Sequence, residues 1–283
     1  MTTSQVHEAA ENATQAAQPR RVIGILGGLG PHAHLDLERK LLAAAGELAG
    51  ARADQDFPEW ILSSVPQTPD RTAAIRGEGP SALPHLLRSL QRLESRRSPQ
   101  GEATPGADFV LVACNSAHYY LADLRRATSL PVLDMIDECA GHLASSLPAG
   151  ARVGILATTG TLASGLYHRA LEHHGLRPAS LLDADEGRRQ QEDLVMAAIY
   201  GSADDPELRE GLKTSGYSQA AHNKLEQAAA RLVRELGCQA IIAGCTEIPL
   251  ALGGPEVAGA PLIDPTTNIA RVAIRRAYEL PRS

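Results

Sequence analysis

The stretch VLVACNSAHYY, Val110 to Tyr120, opens as a short apolar run and then reaches Cys114, followed at once by the hydrogen-bonding residues Asn115 and Ser116. A run of this length bounded by polar residues reads as a buried strand leading into a helix. IIAGCTEIPL, Ile241 to Leu250, has the same shape: apolar run, Cys245, Thr246, helix start. The likeness extends upstream. RVGILATTGT, Arg152 to Thr161, copies RVIGILGGLG, Arg21 to Gly30, with Gly24 and Gly154 offset by 130 residues and the two cysteines by 131. Two independent motifs sharing one offset imply a duplicated lobe.

Each copy alternates strands with helices. VIGIL, Val22 to Leu26, is stopped by Gly27, Gly28 and Gly30, and Pro31 opens an amphipathic stretch through Leu35, Leu41, Leu42 and Leu48. That is strand, glycine turn, helix. WILSSV, a helical pattern through Leu83, Leu86, Leu87, Leu90 and Leu93, and DFVLVA continue the alternation. The fold expected is α/β, with two pseudo-symmetric lobes, each a mainly parallel sheet flanked by helices, and the active site in the interlobe cleft at the carboxyl ends of the strands. Residues 1–20 read as a disordered tail, 21–132 with about 264–283 as lobe 1, 133–263 as lobe 2, and Ser98 to Gly106 as a loop.

Composition narrows the partner. A net charge of −6 and 3% aromatic residues give little for a phosphate backbone or bases to bind, which argues against nucleic acid. No apolar run approaches the ~20 residues of a membrane span, and the first twenty residues lack a signal-peptide core, so a cytoplasmic protein is expected. Its four cysteines, Cys114, Cys139, Cys238 and Cys245, lack C-x-x-C spacing, so neither a disulfide framework nor a metal site is expected. A small-molecule carboxylate is the expected partner.

If the lobes are related by a pseudo-two-fold axis, Cys114 and Cys245 approach the cleft from opposite sides. A thiolate and a thiol so placed can remove a proton from one face of a carbon and return one to the other, which inverts the centre. A helix N-terminus after each cysteine would lower its pKa. Donors for the developing charge are the amides of Gly28, Leu29 and Gly30, Asn115 and Ser116, the hydroxyls of Thr158, Thr159 and Thr161, and Thr246. A lone cysteine at a strand end is most often a small buried hydrophobe. The matched offset and polar followers set Cys114 and Cys245 apart, whereas Cys139 and Cys238 read as packing residues.

GILGGLGP, PDRTAAI, CNSAHYY, GILATTGT and GCTEIPL, in this order, resemble the aspartate/glutamate racemase superfamily, closest to its aspartate racemase branch, which works without pyridoxal phosphate or metal. The resemblance implies a cofactor-free racemase for aspartate or a related acidic amino acid, and a homodimer. It implies Cys114 and Cys245 as catalytic, Arg71 with Thr72 as the carboxylate anchor, and Lys213, in GLKTSGY after an apparent 202–210 insertion, as the point charge for a second carboxylate. His118 and Glu247 read as supporting residues. The sequence departs from the pattern at His32, Ala33 and His34 after the glycine loop, at Val65 and at Ala113. Alternatives are a maleate isomerase-like or specialised biosynthetic isomerase of the same superfamily, or a non-catalytic redox sensor that joins the two cysteines in a disulfide.

Overall fold

The computed structural model describes residues 17–94, 96–97, 103–104 and 106–281. The first lobe runs β1 (Ile23–Gly27), α1 (Pro31–Ala49), β2 (Trp60–Ser64), α2 (Arg71–Arg76), α3 (Leu83–Gln91), the short antiparallel pair β3 (Arg96–Arg97) and β4 (Ala103–Thr104), β5 (Phe109–Val112) and α4 (Leu121–Ala127). Helix α5 (Met135–Ser146) leads into the second lobe: β6 (Arg152–Leu156), α6 (Thr159–Ala163), α7 (Leu166–His173), β7 (Arg177–Ala179), α8 (Gly187–Gln190), a π-helical turn (Gln191–Met196), α9 (Ala197–Tyr200), α10 (Leu212–Ser215), α11 (Gln219–Arg234), β8 (Ala240–Ala243), α12 (Ile248–Ala251), β9 (Glu256–Val257) and β10 (Ala260–Ile263). Helix α13 (Pro265–Ala277) then packs against α1.

The duplication is visible in the pairing. The first sheet has order β2-β1-β5 and the second β7-β6-β8-β10-β9, parallel throughout except at β9. Val132 adds a parallel bridge to β5 at Val110, matching the place of β10 beside β8. Beyond these sites, Asp134 and Asp264, also 130 residues apart, cap α5 and α13 by accepting main-chain N–H groups at their first turns. Both sheets are buried on two faces, which is why β1, β5 and β8 read as continuous apolar runs.

Two details differ from the sequence reading. The buried stripe of α1 is Leu37, Leu41, Ala44 and Ala45, while Leu35 and Leu42 are 45% and 42% exposed. The i, i+4, i+7, i+8 alanine and leucine row faces α13, and counting leucines alone picks the wrong side. Residues 17–20, assigned to the tail, are held instead: Ala17 N–H donates to Ala49 and Arg20 N–H to Ala277. Residues 1–16 and most of the expected 98–106 loop lie outside the described residues. No helix among the described residues is long and apolar enough to cross a membrane.

Candidate active site

Cys114 stands two residues beyond β5 and Cys245 two residues beyond β8. In each lobe the parallel ladder runs one step past the strand end, with Ala113 N–H donating to Leu26 O at 3.0 Å and Gly244 N–H to Leu156 O at 2.6 Å. This fixes the two sulfurs at equivalent strand-end corners, with Cys114 4% and Cys245 6% exposed. The ammonium of Lys213 lies within electrostatic reach of both.

The lobes meet through a matched pair of glycines. A Cβ on Gly30, at φ 137°, would stand 2.3 Å from Glu247 Oε1, and a Cβ on Gly160 would stand 2.6 Å from Thr72 Cα. Gly30 and Gly160 are again 130 residues apart, so each lobe presses its glycine loop onto the other. A hydroxyl chain crosses beside Gly160: Thr72 Oγ1 lies 3.2 Å from Thr158 Oγ1, which is 3.1 Å from Thr161 Oγ1. Tyr167 OH donates to Asn115 Oδ1 at 2.5 Å, a third crossing.

At the first corner, Cys114 Sγ lies 3.3 Å from Ser116 Oγ. The Arg71 guanidinium lies within electrostatic reach of the same sulfur. It does not present a free fork: Nη1 donates to Thr68 O and Pro69 O at 3.3 and 3.0 Å, and Nη2 donates to Leu29 O at 2.6 Å. Arg71 Nε and Asn115 Nδ2 are buried donors without a protein partner. Burial works against the Arg71 charge, but Cys114 and Asp70 outweigh it and hold the guanidinium above its ordinary pKa.

At the second corner, Cys245 Sγ donates to Glu247 Oε2 at 3.0 Å, Thr246 Oγ1 donates to the same oxygen at 3.1 Å, and Lys213 Nζ donates to Oε1 at 3.1 Å. Glu247 is fully buried. Burial alone would raise its pKa; Lys213 and these donors outweigh that and hold it below the usual carboxylate range. Burial first, then the Glu247 charge, push the Cys245 thiol well above its ordinary value. The expectation that a helix N-terminus lowers this pKa therefore fails, because α12 is one turn long and a carboxylate sits between it and the sulfur.

The supporting residues sort by position. His118 faces away from the cleft: its Nε2 accepts from Met135 N–H at 3.2 Å, which leaves Nδ1–H to donate to Cys114 O at 2.9 Å. Burial lowers its pKa and keeps it neutral. Thr159 is turned outward, donating to Glu192 at 3.0 Å. Gly28 N–H donates to His34 Nδ1 at 3.3 Å, so the departure at His34 braces the glycine loop. Among the described residues no group of three or more His, Cys, Asp or Glu could hold a metal.

Lys213 arrives late in the sequence yet reaches the corner because the inserted loop closes on itself. Gly201 and Gly211 abut so tightly that a Cβ on Gly211 would stand 2.3 Å from Gly201 N, and Ser202 N–H donates to Leu208 O at 2.8 Å. This sets the Lys213 ammonium 5.5 Å from the Tyr200 ring. Sequence reasoning missed Tyr200 and Asp70: Tyr200 OH lies 2.9 Å from Asp70 Oδ2 and 3.2 Å from Thr72 Oγ1, tying the second lobe to the first. The signal was present in Ile199, Tyr200 and Gly201, which lead into the 202–210 insertion, and in the PDRTAAI motif itself.

Fold and site together define a two-lobed α/β protein in which equivalent strand ends of the two lobes each carry one cysteine, both within electrostatic reach of Lys213. The chain belongs to the Asp/Glu/Hydantoin racemase family, whose family model matches residues 26–273. It is 29% identical over 157 residues to a broad specificity amino-acid racemase of Bacillus subtilis, covering 54% of this chain and 62% of the relative. Over 184 residues it is 29% identical to a glutamate racemase of Desulforudis audaxviator, covering 61% and 59%. The matches thus span about three fifths of each relative. Among solved structures, aspartate racemase of Picrophilus torridus superimposes with a TM-score of 0.68 at 23% identity, covering 92% of this chain and 95% of that one. An aspartate racemase homologue from Pyrococcus horikoshii gives 0.63 at 22%, covering 91% and 99%. These likenesses establish the shared fold.

Proposed function

We propose that the chain is a cofactor-independent amino-acid racemase, an isomerase that inverts the α-carbon with two cysteines. The observation that carries this reading is the placement of Cys114 and Cys245 at equivalent strand ends, both within reach of the Lys213 charge. One cysteine, as thiolate, takes the proton from Cα. The electron pair left behind spreads into the α-carboxylate. The other cysteine, as thiol, delivers its proton to the opposite face and becomes the thiolate. One C–H bond breaks, one forms, and no electrons leave the substrate.

The two corners divide these roles. Cys245 donates its S–H to Glu247 and so stands ready as the acid, which leaves to Cys114, facing Arg71, the role of base in that direction. A positioned base contributes ~10²–10⁴-fold, and each donor to the developing carboxylate charge ~10²–10³-fold. Among the described buried side chains, Arg71 Nε and Asn115 Nδ2 are donors without a protein partner that could serve that task. The acidic substrate implied by sequence resemblance puts aspartate and glutamate at the head of the assay panel.

The test is incubation in D₂O without added cofactor, following loss of the α-proton by NMR and the enantiomer ratio by chiral chromatography. Deuterium entering with inversion supports the proposal. A wild-type protein that exchanges no amino acid across a broad panel contradicts it.

A further inference from the structure

We propose that Tyr167 is a positioning residue for the substrate carboxylate: reaching across from the second lobe, its hydroxyl holds the Asn115 amide with Oδ1 toward itself and so turns Nδ2, beside Cys114, toward the carboxylate. This rests on the racemase reading and adds to it a residue that acts through another. Three observations carry it.

The first is where Tyr167 stands. It lies in the first turn of α7, in the second lobe, and is 1% exposed, yet its O–H goes to the first lobe, to Asn115 Oδ1 at 2.5 Å. Asn115 directly follows Cys114. The ring also lies against the residue that precedes Cys245, since a Cβ on Gly244 would stand 3.2 Å from Tyr167 Cε2. One side chain thus abuts the chain neighbour of each cysteine.

The second is that the duplicated scaffold does not require a hydroxyl here. Seven residues after the matched glycines Gly160 and Gly30 stand Tyr167 and Leu37, and both are buried. In the first lobe an apolar side chain fills the place. Burying a hydroxyl where a hydrocarbon serves costs desolvation that its hydrogen bond has to offset, so the phenol is explained by what it bonds. Burial holds its pKa well above the ordinary value, and the group stays a donor.

The third is the state of the amide. Asn115 is 2% exposed; its Oδ1 is satisfied by Tyr167, while its Nδ2 is buried without a protein partner. A carboxamide can turn by half a rotation and exchange its donor and acceptor ends with little change of shape. A phenol O–H donates more readily than its ring-conjugated oxygen accepts, so Tyr167 favours the orientation with Oδ1 facing it. The reverse orientation would offer a carbonyl oxygen to a carboxylate, which repels it. A buried donor left unpaired is costly, and a substrate carboxylate at the Cys114 corner would pair it.

The experiment is a double-mutant cycle on the full chain, read as racemisation of aspartate and glutamate or, where neither exchanges, of the fastest amino acid of the D₂O panel. Asn115→Ala should lower kcat by about 10²-fold, the usual loss for a donor to developing charge. Tyr167→Phe keeps the ring and should lower kcat by about tenfold, with KM changing less. The double variant should be no slower than Asn115→Ala, because the hydroxyl acts only through the amide. Where Asn115→Ala fails to fold, Asn115→Ser takes its place. Alkylation of Cys114 and Cys245 by iodoacetamide should be as slow in Tyr167→Phe as in the wild type. Losses that multiply in the double variant, a Tyr167→Phe enzyme as fast as the wild type, or faster alkylation of both cysteines would mark Tyr167 as a packing residue and overturn this inference, leaving the racemase reading standing. No exchange of any amino acid by the wild type would overturn the racemase reading and this inference with it.

Discussion

The two cysteine corners are copies of one another in backbone and unlike in charge. Each sulfur contacts the side chain two residues on, but that partner is the neutral Ser116 for Cys114 and the carboxylate Glu247 for Cys245. Each corner has one cation, Arg71 at the first, tied to three backbone carbonyls, and Lys213 at the second, tied to the carboxylate. A duplicated scaffold supplies the opposed geometry, and divergence at a single position after each cysteine assigns acid and base. Symmetry places the thiols; asymmetry gives them a resting order.

The largest expected effect separates the corners by stability. Lys213→Met leaves Glu247 buried without its cation and should destabilise by about 3–5 kcal/mol in denaturant unfolding. Lys213→Met combined with Glu247→Gln should recover most of that loss. Ser116→Ala, which removes the first corner's counterpart of Glu247, should cost about 1 kcal/mol or less. Equal losses at Ser116 and Lys213 would break the comparison.

Next come the matched glycines. Gly160→Ala drives a Cβ to 2.6 Å from Thr72 Cα and Gly30→Ala to 2.3 Å from Glu247 Oε1, so each should wedge the lobes apart. Each should cost about 1–3 kcal/mol, and both should lower kcat/KM. A variant that keeps full activity would show that the lobes need not close as tightly as here.

The smaller effects concern protonation. Glu247→Gln removes the charge that holds the Cys245 proton, so alkylation of Cys245 by iodoacetamide should shift to lower pH, read by mass spectrometry of the labelled peptide. His118 is neutral in the fold with its pKa lowered from 6.5, so the unfolded chain binds the extra proton first on acidification. Its contribution is complete above pH 6.5 and declines as pH falls through that value. Glu247, lowered from 4.5, adds a second decline below pH 4.5. His118→Asn should flatten the first decline in unfolding free energy and leave the second.

Much of this was legible before any coordinates. The repeated strand-glycine and strand-cysteine motifs, one offset apart, fixed two lobes and placed both cysteines, because parallel strands bury both faces and leave little room for other readings. The helix face of α1 was misread because small alanines, which pack α13 most closely, carry a weaker apolar signal than leucine. Lys213 was located despite the insertion, but not its partner: that a lysine meets Glu247 instead of open cleft depends on where a looped segment of the second lobe returns. His118 was placed near the site, and its inward turn toward Met135 N–H follows from the crossover after Val132, which no local pattern encodes.

The most direct test of two opposed thiols is solvent deuterium exchange with each enantiomer, measured separately on Cys114→Ala and Cys245→Ala. The account predicts that neither variant inverts its substrate, and that each retains α-proton exchange with one enantiomer only, opposite for the two variants. Inversion surviving in either variant, or both variants exchanging the same enantiomer, would contradict it.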